Sequence, residues 1–174
     1  MQISINVNMG QLPDLARYYP EIVRQETRAV LLLITARMEK GVVEKTPRGV
    51  GAAGGLAGSI HGEVVPYGGG FASITGTPLH GQGETIELGR RPGKRQPPIE
   101  PLALWFMRKH GLDEDEARHA AFGLAKNIAK WGFLTWPEGA RMFEKTFKEN
   151  EYWIMEMIHS IPVRVAGRIN SGSR

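Results

Sequence analysis

Apolar residues recur along this chain with two periods. Near its start, ISINV alternates apolar and polar residues and predicts a short strand over Ile3–Val7, with Ile3, Ile5 and Val7 on one face. From Pro20, a residue suited to a first helical turn, the period lengthens. Val23, Val30, Ile34, Met38 and Val42 form one stripe of a long helix that ends before Pro47. The glycine-rich segment 49–58 then predicts a loop, because closely spaced glycines do not hold a helix. Strands are expected at Ser59–Pro66 and Phe71–Thr77, joined by YGGG, whose glycines accept the positive φ angles of a hairpin turn. A third short strand is expected through ETIEL.

The second half reads as helices. PIEPLALWFMRKHG begins as proline-restricted extended chain and becomes helical at about Leu102, closing at Gly111. DEDEARHAAFGLAKNIAKWG opens with four acids, which suit the positive end of a helix dipole, and carries Ala117, Ala121, Leu124, Ala125 and Ile128 on one stripe. Together these make a helical insertion over 102–131. Gly132 and Pro137 break the pattern. A last long helix is expected with Met142, Phe143, Phe147, Ile154, Met157, Ile158 and Ile161, and residues 169–174, INSGSR, are expected to fray. The outline is an α+β fold in a single domain, 1–174: a small antiparallel sheet packed against two long helices, with a helical insertion and extended loops.

Composition adds few constraints. The 174 residues suffice for one domain with a core, and the 22 glycines are well above the usual ~7%. With no cysteine, disulfides, thiolate zinc sites and a cysteine nucleophile are excluded. No stretch approaches a membrane span, and MQISINVNMG lacks the features of a secretion signal, so assembly in the cytoplasm is expected.

The net charge is +4, and it is unevenly distributed. Residues 1–85 hold 7 basic and 7 acidic side chains, against 15 and 11 in the remainder. Arg90, Arg91, Lys94 and Arg95, in the turn GRRPGKRQPP, equal the whole surplus. A dedicated DNA-binding domain usually spreads such charge as a broad stripe. This turn fits a solvated loop, a docking arm for an acidic partner, or a direct phosphate contact. Pro92, Pro97, Pro98 and Pro101 stiffen it, which lowers the entropy lost on docking, and Trp105 and Phe106 follow as candidate anchors.

Enzymatic motifs are matched only by letter. Gly49, Gly51 and Gly54 have dinucleotide-loop spacing, but a helix precedes them and a strand follows, the reverse of what that site requires. In GRRPGKRQ the glycines are too close for a Walker loop, and Arg95 stands where a magnesium-binding hydroxyl is needed. Ser59 in AGSIHG lacks the glycine of a nucleophile elbow at 57. His61, His80, His110, His119 and His159 share no metal-ligand spacing. Neither a cofactor, a metal nor a catalytic set is expected, and an enzyme is the class least favoured.

The order of features nevertheless resembles a family. TPRGVGAAGGLAGSI is similar to the signature "P, then a few residues, T/S-G-x-L-x-x-S-I" of the head-to-tail joining, or tail-completion, proteins of long-tailed bacteriophages, which include members like minor tail protein Z. IELGRRPGKRQPP resembles their E-x-G strand end in the variant that continues GRRPG-K-x-PP. PLALWFMRKHG and EDEARHAAFGLAKNIAKWG match the two helices inserted in that variant, and PEGARMFEKTF matches the P-x-G-x-x-M-F stretch before the last helix. The likeness covers roughly residues 20–168. This chain departs from the pattern in its extra glycines before Leu56 and in GQGETIE where a tyrosine commonly precedes E-x-G.

The resemblance implies a non-enzymatic virion protein forming a ring, expected to be a hexamer, in the neck around the genome's exit path. Its partners would be itself, head-completion proteins, the tail terminator and tail tube, and the DNA in the lumen. The interface is expected at the glycine loop, with Gly54, Leu56 and Ser59, and at the basic arm 87–101, with Glu87, Gly89, Arg90, Arg91, Pro92, Lys94, Arg95, Pro97 and Pro98, beside Trp105. A tail terminator capping the tube and a DNA-binding accessory protein are the alternatives.

Overall fold

The computed structural model describes residues 12–47, 55–132 and 138–172. The strand expected at Ile3–Val7 and the glycines from Gly49 to Gly54 lie outside the described residues. The elements in chain order are α1 (Leu12–Tyr18), α2 (Pro20–Lys45), α3 (Gly55–Ser59), β1 (His61–Tyr67), β2 (Gly70–Gly76), α4 (His80–Leu88), α5 (Ile99–His110), α6 (Glu114–Trp131), α7 (Met142–His159) and α8 (Ile161–Gly172). The fold is α+β: helices with a small two-stranded antiparallel sheet. It divides into two compact units. One holds residues up to Lys40, His61–Gly76 and Phe147 onward; the other holds Gly41–Ile60 and Thr77–Thr146.

The first unit is organised by the stripe of α2. Val23, Val30 and Ile34 are buried with Ile154 of α7 and Ile161 and Val165 of α8. The hairpin pairs His61 with Gly76 through to Tyr67 with Gly70, and it turns at Gly68 and Gly69, both at positive φ. Its side-chain contacts run to α2: the hydroxyls of Thr35 and Ser73 share a 2.6 Å hydrogen bond, and Gly62 N–H donates to the Glu39 carboxylate at 2.7 Å. On the other side, Arg37 donates to the Asn150 side-chain oxygen at 2.6 Å and stacks over Trp153 at 4.3 Å.

The second unit has two cores. Val42, Leu56, Ile60 and Met142 form one, with Ile86 and Phe143 against it. Ala103, Ala117 and Ala121 form the other, where alanines let α5 and α6 approach closely beneath Leu102, Phe106 and Met107. Gly111 ends α5 in the left-handed region, its N–H donating to the Met107 carbonyl, and Asp113 caps α6 by accepting from Glu116 N–H at 2.8 Å.

Four expectations are corrected. ETIEL is the end of helix α4 rather than a strand: Gly83 and Glu87 are buried one helical turn apart, and Ile86 packs against the core of Val42, Leu56, Ile60 and Met142. Residues 55–58 of the glycine segment belong to the short helix α3, held by burial of Leu56. The insertion starts earlier than Leu102, with Pro98 flanking α5 at Ile99 and Pro101 tolerated in its first turn. The last helix breaks at Ser160, where Pro162 lacks the N–H that would continue the ladder, and residues 169–172 are helical within α8.

Candidate functional site

Leu88 ends α4, and residues 89–98 then cross to α5 as the basic turn. Two clasps fix it, both within the second unit. At its start, the Glu87 side chain is buried and its carboxylate accepts the N–H groups of Phe143 at 3.0 Å and Glu144 at 3.1 Å, so it caps the first turn of α7 from a distant element. Main-chain bonds run beside it, from Ala140 N–H to the Ile86 carbonyl at 2.7 Å and from Arg141 N–H to the Glu87 carbonyl at 3.2 Å. Gly139, at φ 82, lies so close that a Cβ there would overlap the Glu87 carbonyl and the Gly89 nitrogen.

The second clasp holds the turn to the end of α6. Gly93 N–H donates to the Ala129 carbonyl at 2.8 Å. Gly132, at φ 73, sits against the Arg90 carbonyl, and Pro92 also lies within van der Waals reach. The Arg90 guanidinium bonds back to the Arg95 carbonyl across the turn, and its Nε is buried without a partner among the described residues. Arg90 is thereby a structural brace. Arg91, Pro92, Lys94, Arg95 and Pro98 are exposed, and Pro97 is half-buried. The residues from Arg95 to Glu100 line a shallow hollow.

The expected interface is therefore divided. Gly54 lies outside the described residues. Leu56 and Glu87 are corrections, since both are buried in the second unit, Leu56 in a core and Glu87 as a cap. Gly89 is half-buried at φ 75, in the clasp with Gly139. Ser59 donates to the Leu56 carbonyl at 2.8 Å and shares a 2.7 Å bond with the Thr77 hydroxyl. Half-buried Trp105 meets its own helix, with Phe106 at 4.9 Å, His110 at 5.3 Å and the Lys109 ammonium over its ring at 4.6 Å.

Sequence reading missed two cations. The Gly93 clasp docks the turn at Ala129, so Lys126 and Lys130 lie within one helical turn of the docking point of the segment that carries Arg91, Lys94 and Arg95, all five exposed. We refer to this end of the unit as its basic pole. Their spacing of four along one helix face was visible, but not that the turn docks beside them. Among the described residues no group of three metal-ligating side chains converges. No family model, curated protein or solved structure matches the chain.

Proposed function

We propose that this chain is a structural virion protein of a long-tailed bacteriophage, a tail-completion protein forming a ring in the neck that joins the tail to the head-completion complex around the DNA channel. The observation that carries the reading is an interlock. IELG and PEGARMF, two of the stretches that resemble the family's motifs, lie some fifty residues apart, and here Glu87 caps the helix begun by Met142 and Phe143 while Gly139 packs on Glu87. Motifs that resemble a family and also hold one another together support a shared fold better than the same letters scattered over a surface. A closed ring, a hexamer on a sixfold tail, would repeat one heterologous contact around the axis and add stability at every joint.

The test is the mass of the purified protein by light scattering, alone and with tail tubes, alongside negative-stain images of the mixture. A ring in solution, or one that forms at tube ends and is then required for heads to attach, is the expected result. Capping of tubes with no effect on head attachment would instead identify a tail terminator. A monomer that ignores both tubes and heads would end the neck reading.

A further inference from the structure

We infer that the basic pole formed by the turn 89–98 and the end of α6 binds the phosphates of duplex DNA without reading its sequence. Arg91, Lys94, Arg95 and Lys126 are exposed and make no ion pair with any described residue. Lys130 adds a fifth charge, its ammonium 4.7 Å above the ring of Trp131, itself 55% exposed. Of the acids near in the chain, Glu87 is buried and occupied in capping α7, and Glu100, which lines the same hollow as Arg95, makes no ion pair with it. Nothing on the turn itself offsets the cations.

The hydrogen-bonding needs of the pole do not explain this charge. Cations often gather at a helix C-terminus to satisfy its carbonyls, but here main-chain N–H groups already do so, from Gly93 to Ala129 and from Gly132 to Ile128. The first half of the turn is pinned through Glu87, Arg90 and Gly93, and its prolines stiffen the rest, so the backbone that carries the cations needs little ordering on binding. A protein partner fits less well: the arginines would suit one, but lysine is depleted at interface cores, and Arg91 to Gln96 offer no aromatic anchor beside them. Five cations on a rigid backbone suit a polymer with one charge per ~1.7 Å. Arginine and lysine held this way contact phosphates and carry no base readout of their own.

The inference rests on the neck reading only in supplying the DNA: it names the surface that would meet the genome in the lumen, and the balanced charge of residues 1–85 keeps that grip local. The test is fluorescence anisotropy of the full chain with a blunt DNA duplex of a few helical turns, titrated from about 50 to about 200 mM salt. The expected slope of log affinity against log salt is between roughly −3 and −5, a loss on the order of 10²-fold over that range. The variant R91A/K94A/R95A/K126A spares the brace Arg90 and should keep the circular dichroism of the parent. Its slope should fall to roughly −1.

No binding at the lowest salt, or a slope the four substitutions leave unchanged, overturns the inference. A variant that keeps its DNA affinity but no longer joins heads to tails overturns it in favour of an acidic protein partner. Ring formation without DNA binding sinks the inference and spares the neck reading, while DNA binding by a chain that never forms rings does the reverse.

Discussion

The carboxylate of Glu87 accepts the main-chain N–H of Phe143 at 3.0 Å, across 56 residues of sequence. Its second oxygen takes the N–H of Glu144. The first N–H groups of helix α7 have no acceptor within the helix; Glu87, at the end of α4, supplies two acceptors and a negative charge at the positive end of the helix dipole. One side chain thus links the start of the basic turn to the start of α7.

Glu87→Ala leaves two N–H groups in a partly buried setting without acceptors and should cost about 2 kcal/mol. Glu87→Gln keeps one acceptor oxygen and should fall between the alanine variant and the parent. Urea unfolding followed by circular dichroism measures both. An alanine variant as stable as the parent would mean that water caps α7 equally well.

The parts of this fold that were legible share a physical trait. α2 and α6 carry apolar stripes long enough to establish their period, α5 has a stop at Gly111, α6 opens with acids, and the hairpin has its glycine turn. ETIEL was misread because alternation over five residues does not separate a strand from a helix, and what decides is Glu87's burial against α7, far off in sequence. The break at Ser160 was signalled by Pro162, but the apolar spacing runs through it, since Ile161 and Val165 continue the core begun by Ile154. At the site, the four turn cations were plain in the composition. Their junction with Lys126 and Lys130 depends on one main-chain bond, from Gly93 to Ala129, which no side-chain pattern encodes.

Two glycines should respond oppositely to alanine. Gly139 has φ 82, and an added Cβ would overlap the Glu87 carbonyl, so Gly139→Ala should destabilise by at least about 2 kcal/mol. Gly123 lies within α6 with nothing within 4 Å of an added Cβ, so Gly123→Ala should stabilise by about 0.5–1 kcal/mol through helix propensity. Thermal unfolding of the two variants beside the parent checks the pair. Equal shifts would mean that the Glu87–Gly139 clasp does not constrain the fold.

Trp105 and Phe106 are adjacent but should differ in what they support. Phe106 packs on the Ala103, Ala117 and Ala121 core, and Phe106→Ala should cost about 3 kcal/mol. Trp105 touches side chains of its own helix, and Trp105→Ala should cost about 1 kcal/mol while weakening attachment at tube ends if it anchors the ring. Denaturant midpoints and a head-to-tail joining assay separate the two effects. A tryptophan variant as unstable as the phenylalanine variant would return Trp105 to the core.

Stability in the first unit should depend on acid through Glu26. Its carboxylate is buried and accepts from Arg164 at 3.0 Å and Arg168 at 3.1 Å, joining α2 to α8. The Arg164 hydrogen bond, against the opposing effect of burial and with help from Arg168, holds its pKa below the ordinary 4.5. The folded chain therefore binds this proton less readily than the unfolded chain. The stabilisation is fully present above pH 4.5, and it is lost as the pH falls through the lower folded value. Urea midpoints measured at successive pH values should decline on that acid limb for the parent. Glu26→Gln should be less stable at neutral pH and show a shallower decline, because the titrating group is gone; parallel acid limbs in the two proteins would show that other carboxylates set the pH dependence.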